Sequence, residues 1–258
     1  MMLPIVFALL VLVVPRTGEA TAQFVYKECL NTTNYTDGSQ FQVNLNRILY
    51  RQLYNDGSKS IFSNQTEGEE PDKVYGLFLC RGDVSAADCQ SCIDIASEEI
   101  SKECPFKKEA IIWYDQCMIR YSNRSFFSTM ETQPTLYLLN TENVTEPDKF
   151  TEILGNMFAN LTTVATSIPS NQRYATNETN VGNFTKLYGM VQCTPDLSPL
   201  LCRNCLNEIL SSLLGFMAGR IGGRVLTPSC NVRYELYPFL AEAPSDNGTD
   251  ASNGSRGE

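Results

Sequence analysis

The chain has 258 residues, 43% of them hydrophobic, with 20 Lys and Arg against 29 Asp and Glu, a formal net charge of −9 and no histidine. That balance excludes the basic footprint of a nucleic-acid binder and leaves no polybasic patch for anionic lipid. Without histidine, Ser-His-Asp and Cys-His catalytic machinery is excluded as well.

The N-terminus, MMLPIVFALLVLVVPRTGEATA, holds an apolar run from Leu3 to Val14, then Pro15, with Ala20 and Ala22 at the two small-residue positions of a cleavage site. This predicts a signal peptide over 1–22, with Gln23 as the first mature residue. The run is too short for a bilayer span, which needs about 20 residues. No later stretch is longer, so the mature chain is expected to be secreted, with no transmembrane segment. The pattern Asn-x-Ser/Thr occurs at Asn31, Asn34, Asn64, Asn123, Asn143, Asn160, Asn177, Asn183, Asn247 and Asn253. As a set, these N-glycosylation candidates point to the secretory lumen and predict surface positions.

Further along, Phe41, Leu45, Ile48, Leu49 and Leu53 form a helical stripe closed by Asn55-Asp56-Gly57. Ser85-x-x-Asp88 is a capping box that starts a second helix, and it places Cys89 and Cys92 one turn apart on one face. Segment 109–121 is β-rich. After the connector STMETQPT, Pro147 precedes a stripe of Phe150, Ile153, Leu154, Met157, Phe158 and Leu161. Ser198-Pro199 then starts a fourth helix carrying Cys202 and Cys205, and 223–234 is β-rich again. The last residues, 241–258, are small, polar and acidic. They read as a disordered tail with no hydrophobic GPI signal.

The cysteines reveal a duplication. Cys80, Cys89, Cys92 and Cys117 recur at Cys193, Cys202, Cys205 and Cys230, each 113 residues later. The same offset carries Tyr75-Gly76 onto Tyr188-Gly189, Arg120-Tyr121 onto Arg233-Tyr234, and Phe126 onto Phe239. Two tandem domains follow, 23–130 and 134–240. Cys29 and Cys104 have no counterparts, since the offset carries Cys104 onto Met217 and Cys29 near Leu139. Two thiols lost together imply partners, so Cys29 is expected to bridge Cys104. The four cysteines left in each repeat allow three connectivities, and spacing does not choose among them. A redox CxxC lacks its usual βαβ context. Zinc would consume every remaining cysteine of a repeat in an oxidising lumen, so structural disulfides are preferred and no metal or cofactor is expected.

The spacing C-x8-C-x2-C in CRGDVSAADCQSC and CTPDLSPLLCRNC, followed by AIIWYDQCMIRYSNRSF and GGRVLTPSCNVRYELYPF, resembles the plant cysteine-rich repeat family. This is the stress-antifungal, ginkbilobin-type domain found in tandem in cysteine-rich receptor-like kinase ectodomains and in secreted cysteine-rich repeat proteins. The resemblance implies an α+β fold in which each domain packs two helices on a five-stranded antiparallel sheet. It also implies the pairs Cys80–Cys89, Cys92–Cys117, Cys193–Cys202 and Cys205–Cys230, beside Cys29–Cys104.

Ginkbilobin-type mannose binding uses an Asn after the first cysteine, an Arg between the last two, and a Glu after the last. The first repeat offers Leu30, Ile111 and Ser122 there, which cannot bind a sugar in this way. The second offers Asn140, Arg224 and Glu235, with Tyr234 or Tyr237 as an aromatic platform. The same Arg224 and Glu235 could instead form a cross-strand ion pair. Carboxylate runs at Glu98-Glu99 and Glu67 to Glu70 read as solvated faces rather than a glycosidase pair. No phosphate-binding glycine loop is present. The expected function is therefore non-enzymatic. The first reading is an apoplastic, lectin-like defence protein for mannose-containing glycans. The alternative is a soluble or truncated receptor-kinase ectodomain that binds a cell-surface protein or peptide.

Overall fold

The computed structural model describes residues 22–30, 33–167, 172–182, 185–216 and 219–241. The predicted signal peptide up to Thr21, the tail from Glu242 and the sequons at Asn31, Asn183, Asn247 and Asn253 lie outside them. Of the other sequons, Asn34, Asn143, Asn160 and Asn177 are exposed, while Asn64 and Asn123 are half-buried.

The first half runs β1 (Phe24–Cys29), α1 (Gln40–Arg47), a π-helical turn (Ile48–Gln52), β2 (Phe62–Glu67), β3 (Val74–Cys80), α2 (Ala86–Glu103), β4 (Ala110–Tyr114) and β5 (Cys117–Ser122). The second half repeats it as β6 (Leu136–Leu139), α3 (Pro147–Ala165), β7 (Tyr174–Gly182), β8 (Thr185–Cys193), α4 (Pro199–Phe216), β9 (Gly223–Leu226) and β10 (Cys230–Glu235). Each half forms a five-stranded antiparallel sheet of the same topology, β1-β4-β5-β3-β2 and β6-β9-β10-β8-β7. This is the α+β architecture that the family resemblance implied.

The stripes bury as their spacing requires. Phe41, Leu45, Ile48, Leu49 and Leu53 are all fully buried. One detail departs from a plain α-helix. The N–H of Leu53 donates to the carbonyl of Ile48 at 2.9 Å, a five-residue step that widens the last turn. The widened turn seats Ile48 and Leu53 over Gly76, where a Cβ would stand 2.5 Å from Ile48 Cγ2. At the repeat position, Gly189 passes equally close under Met157 and Leu161 of α3. Helix starts follow the capping residues. Ser85 Oγ accepts from Asp88 N–H at 3.1 Å, and Ser198 Oγ accepts from Leu201 N–H at 3.2 Å.

All ten cysteines are bridged: Cys29–Cys104, Cys80–Cys89, Cys92–Cys117, Cys193–Cys202 and Cys205–Cys230. Cys80 and Cys117 are cross-strand partners on β3 and β5, and Cys193 and Cys230 are partners on β8 and β10. The two helix cysteines of each repeat thus clip their helix to a neighbouring strand pair. That geometry leaves no thiols for a redox CxxC or a zinc site.

Strands β3 and β4 read as unbroken apolar runs, VYGLFLC and AIIWY, because both of their faces are covered. Ile112, Tyr114, Ile119 and Tyr121 point under the helices. Leu77, Leu79, Ile111, Trp113 and Met118 point the other way, into a third apolar layer with Phe126 and with Leu226, Leu136 and Leu138 of the second domain. The outer faces of the two sheets therefore meet. Gln192 Nε2 crosses this junction to the carbonyl of Cys80 at 2.9 Å, and Glu131 N–H reaches Ser229 Oγ at 2.9 Å.

Candidate functional site

Strand β9 carries Arg224, and antiparallel pairing places it opposite Arg233 on β10. Two like charges in register repel. The anion that separates them comes from the other domain. Asp115, in the turn between β4 and β5, accepts through Oδ1 from Arg224 Nη1 at 2.9 Å and from Arg233 Nη1 at 2.8 Å. Its Oδ2 accepts from Arg81 Nη1 at 3.0 Å, and Arg81 also forks onto Asp83 at 2.6 and 3.0 Å. Burial pushes the Asp115 carboxyl upward, but the three guanidinium groups outweigh it and hold the group below the ordinary aspartate range. Burial acts on Arg224 as well, pulling it down to about 10 against the support of Asp115, so it stays charged at neutral and acidic pH.

The cross-strand pair between Arg224 and Glu235 is not formed. Register sets Glu235 opposite Tyr188, and its Oε1 accepts instead from Arg233 Nε at 3.2 Å. Glu235 packs over Gly222, where a Cβ would sit 2.0 Å from Oε2 and would push the carboxylate aside. The first domain exchanges these positions. Glu109 stands at the repeat position of Gly222, and Ser122 at that of Glu235. Buried Glu109 accepts from Arg120 at 3.4 Å and from Arg124 at 3.0 Å. Arg120 and Arg233, repeat partners, each receive a carboxylate, but from opposite strands. Each also lies over a repeat-related ring, Phe126 at 4.0 Å and Phe239 at 4.3 Å.

Asn140, just after β6, is held by its backbone N–H on the Gly222 carbonyl at 3.0 Å, and its Oδ1 accepts from Glu142 N–H at 3.0 Å. Asn140, Arg224 and Glu235 all line one open cleft of about 450 Å³, together with Arg233, Tyr237, Asp115 and the segment Gln23–Val25. Of the two candidate platforms, Tyr234 is fully buried against Phe150 and Phe158 and donates its hydroxyl to the Arg220 carbonyl at 3.2 Å. It cannot face a ligand. Tyr237 is 50% exposed, and its hydroxyl accepts from Arg233 Nη2 at 3.1 Å. The buried Nε of Arg224 has no hydrogen-bond partner among the described residues.

The other candidate chemistry does not assemble. Glu98 pairs with Lys102, Glu99 accepts from the Tyr114 hydroxyl, and Glu67 is held by Arg47 and Gln52. Among the described residues, no group of acidic or cysteine side chains could hold a metal ion. Ile111, at the first-repeat position of Arg224, sits in the apolar layer between the sheets. Asp115 escaped sequence reasoning because its repeat position holds Pro228, so the internal comparison gave it no partner. The unbroken apolar run of β4 just before it was the available signal that a second layer covers this edge.

Two stretches, residues 28–124 and 139–237, match the family model described as salt stress response/antifungal. The chain belongs to that family. Cysteine-rich repeat secretory protein 38 of Arabidopsis thaliana is 39% identical over 221 residues, covering 85% of this chain and 87% of that protein. The antimicrobial ginkbilobin-2-like protein of Castanea crenata is 40% identical, with 84% and 88% covered. Cysteine-rich receptor-like protein kinase 25 of A. thaliana is 39% identical over 92% of this chain, which spans only 35% of that kinase. The tandem DUF26 ectodomain of the A. thaliana cysteine-rich receptor-like protein PDLP8 shares the fold, with a TM-score of 0.75 at 23% identity, over 84% of this chain and all of that one. The relatives of this family member thus include secreted repeat proteins and receptor ectodomains, and no described helix is long and apolar enough to cross a membrane.

Proposed function

We propose that this chain is a non-enzymatic recognition protein of the plant apoplast, acting in defence, whose second-domain cleft binds a mannose unit of a fungal glycan. One observation carries the reading. Asn140, Arg224 and Glu235, from three separate segments, line a single open cleft. A pyranose presents adjacent hydroxyls that both donate and accept. A guanidinium offers only donors, a carboxylate only acceptors, and an amide both, so the set can satisfy such a ring without a metal.

The test is calorimetric titration of mannose and mannan into enzymatically deglycosylated protein, because the chain's own glycans would compete. Saturable binding is expected, lost in Asn140→Ala/Arg224→Ala/Glu235→Ala at an intact fold. No binding by the wild type refutes the sugar reading.

A second reading is favoured by Asp115, which already engages both cleft arginines. Here the arginines weld the domains into a rigid block that presents its outer surface to a cell-surface protein or peptide, as a soluble or truncated receptor ectodomain would. Absence of sugar binding, together with a loss of interdomain order in Asp115→Ala, supports this reading over the first.

A further inference from the structure

Four strands stand at the ends of the two sheets, β1 and β2 in the first and β6 and β7 in the second. An end strand offers its outward N–H and C=O groups to a strand of another molecule. Soluble proteins blunt such edges with shortness, a bulge, a charge or a proline. Strand β6 has four residues, and a bulge between Phe24 and Tyr26 leaves β1 only Tyr26–Cys29 in regular register. Strands β2, FSNQTE, and β7, YATNETNVG, are longer in regular register and hold neither lysine nor proline. The bulge of β7 comes near its end, between Asn180 and Gly182, and its one charge, Glu178, is paired with Lys186 at 2.6 Å. Both strands instead carry a sequon in mid-strand, Asn64-Gln65-Thr66 and Asn177-Glu178-Thr179. Of the sequons in the chain, these two alone share the cysteines' offset of 113 residues.

Register slips by one residue between the repeats. Asn64 stands opposite Leu77 and Asn177 opposite Gly189, although the repeat position of Leu77 is Met190. The two amides therefore leave their sheets by opposite faces. Asn64, half-buried, shares the face of Leu77 and the interdomain layer, whereas Asn177, exposed, shares the face of Gly189 beneath α3. The place on the edge persists and the face does not. A side chain that contacts a ligand would lose its partner in that exchange. A glycan would not, because a branched, hydrated chain rooted on an end strand screens the edge from either face.

We propose that Asn64 and Asn177 are N-glycosylated and that their glycans cap the free edges of β2 and β7 against strand addition. In the transfer, each amide nitrogen gives up a proton and bonds to the anomeric carbon of a polyprenyl-diphosphate oligosaccharide. The anomeric C–O bond breaks and the polyprenyl diphosphate leaves.

The experiment secretes the full chain from plant cells as wild type, Asn64→Gln/Asn177→Gln, Asn64→Lys/Asn177→Lys and Asn160→Gln. Glycopeptide mass spectrometry reads occupancy, and sedimentation velocity reads self-association. The wild type is expected to carry glycan at both strands and to associate least. The glutamine pair bares both edges and should self-associate about tenfold more tightly or beyond, with added β-sheet signal in the infrared amide band. The lysine pair also lacks both glycans but should behave as the wild type, because charge blunts the edge. Asn160 lies exposed on helix α3, so Asn160→Gln should not change association. Should the glutamine pair fail to be secreted, Thr66→Val/Thr179→Val removes the same sequons with residues that favour strands. An unmodified Asn64 or Asn177 in the wild type overturns the assignment. Wild-type association in the bare-edged variant, or equal association in Asn160→Gln, overturns the capping.

Discussion

Replacing Asp115 by alanine removes the one carboxylate shared by Arg81, Arg224 and Arg233. Arg81 keeps Asp83 and Arg233 keeps Glu235, but Arg224, only 8% exposed, is left with no anion among the described residues. Breaking a buried pair by deleting one partner costs about 3–5 kcal/mol, and the open cleft admits water on one side, so the low end, about 3 kcal/mol, is expected. For a chain of this size that corresponds to a melting-temperature drop of about 6–12 °C. The chain's single tryptophan, Trp113, is buried in the layer between the sheets, so its fluorescence reports this junction directly. Asp115→Asn keeps an acceptor and should fall between wild type and alanine. The pH dependence is also fixed in sign. Because the native Asp115 carboxyl titrates below its ordinary value of about 3.9, its stabilisation is complete above that pH and is lost as the pH falls through the lowered native value. The gap between wild type and Asp115→Ala should be flat from about pH 5 to 7 and close in stronger acid. A shift under about 1 kcal/mol at pH 6, or a gap that persists unchanged in acid, would refute the clamp.

Two further outcomes can be read by the same melts. Gly76→Ala forces a Cβ to 2.5 Å from the β-branched Ile48, which cannot yield, and should cost about 1–3 kcal/mol. Gly189→Ala meets the flexible end of Met157 at 2.3 Å, so it should cost less, under about 1 kcal/mol; equal losses at the two sites would contradict this packing argument. Replacing Cys29 and Cys104 together opens a loop with a sequence separation of 75, against 9 for Cys80 and Cys89. Loop-closure entropy then predicts losses of about 4.5 and about 2.6 kcal/mol, and denaturant melts that reverse this order would point to native-state packing instead.

The repeat, the two helical stripes and the partnership of Cys29 with Cys104 were legible because they are local or self-referential features. A helix that must bury one face shows it every three or four residues, and a duplicated core repeats its cysteines at a fixed offset. The pairing of the other eight cysteines came from family likeness, since spacing alone left three connectivities open. The composition of β4, apolar at every position, already carried the fact that both of its faces are covered.

The identity of the covering layer was not legible. Asp115 meets Arg224 and Arg233 across more than a hundred residues, and no periodicity links them. Sequence comparison therefore placed Arg224 and Glu235 on neighbouring strands and allowed a pair that does not form, since only the fold shows Arg224 opposite Arg233 with Asp115 taking both. The sheet buries Tyr234, while Tyr237, three residues on and past the end of β10, is exposed. Local sequence determined the helices and the two β-rich segments, because hydrophobic burial is strong and periodic, while the five-stranded sheets were expected from the family likeness. Tertiary structure alone decided which charges meet, because an ion pair depends on a few ångströms set by the packing of one domain against the other.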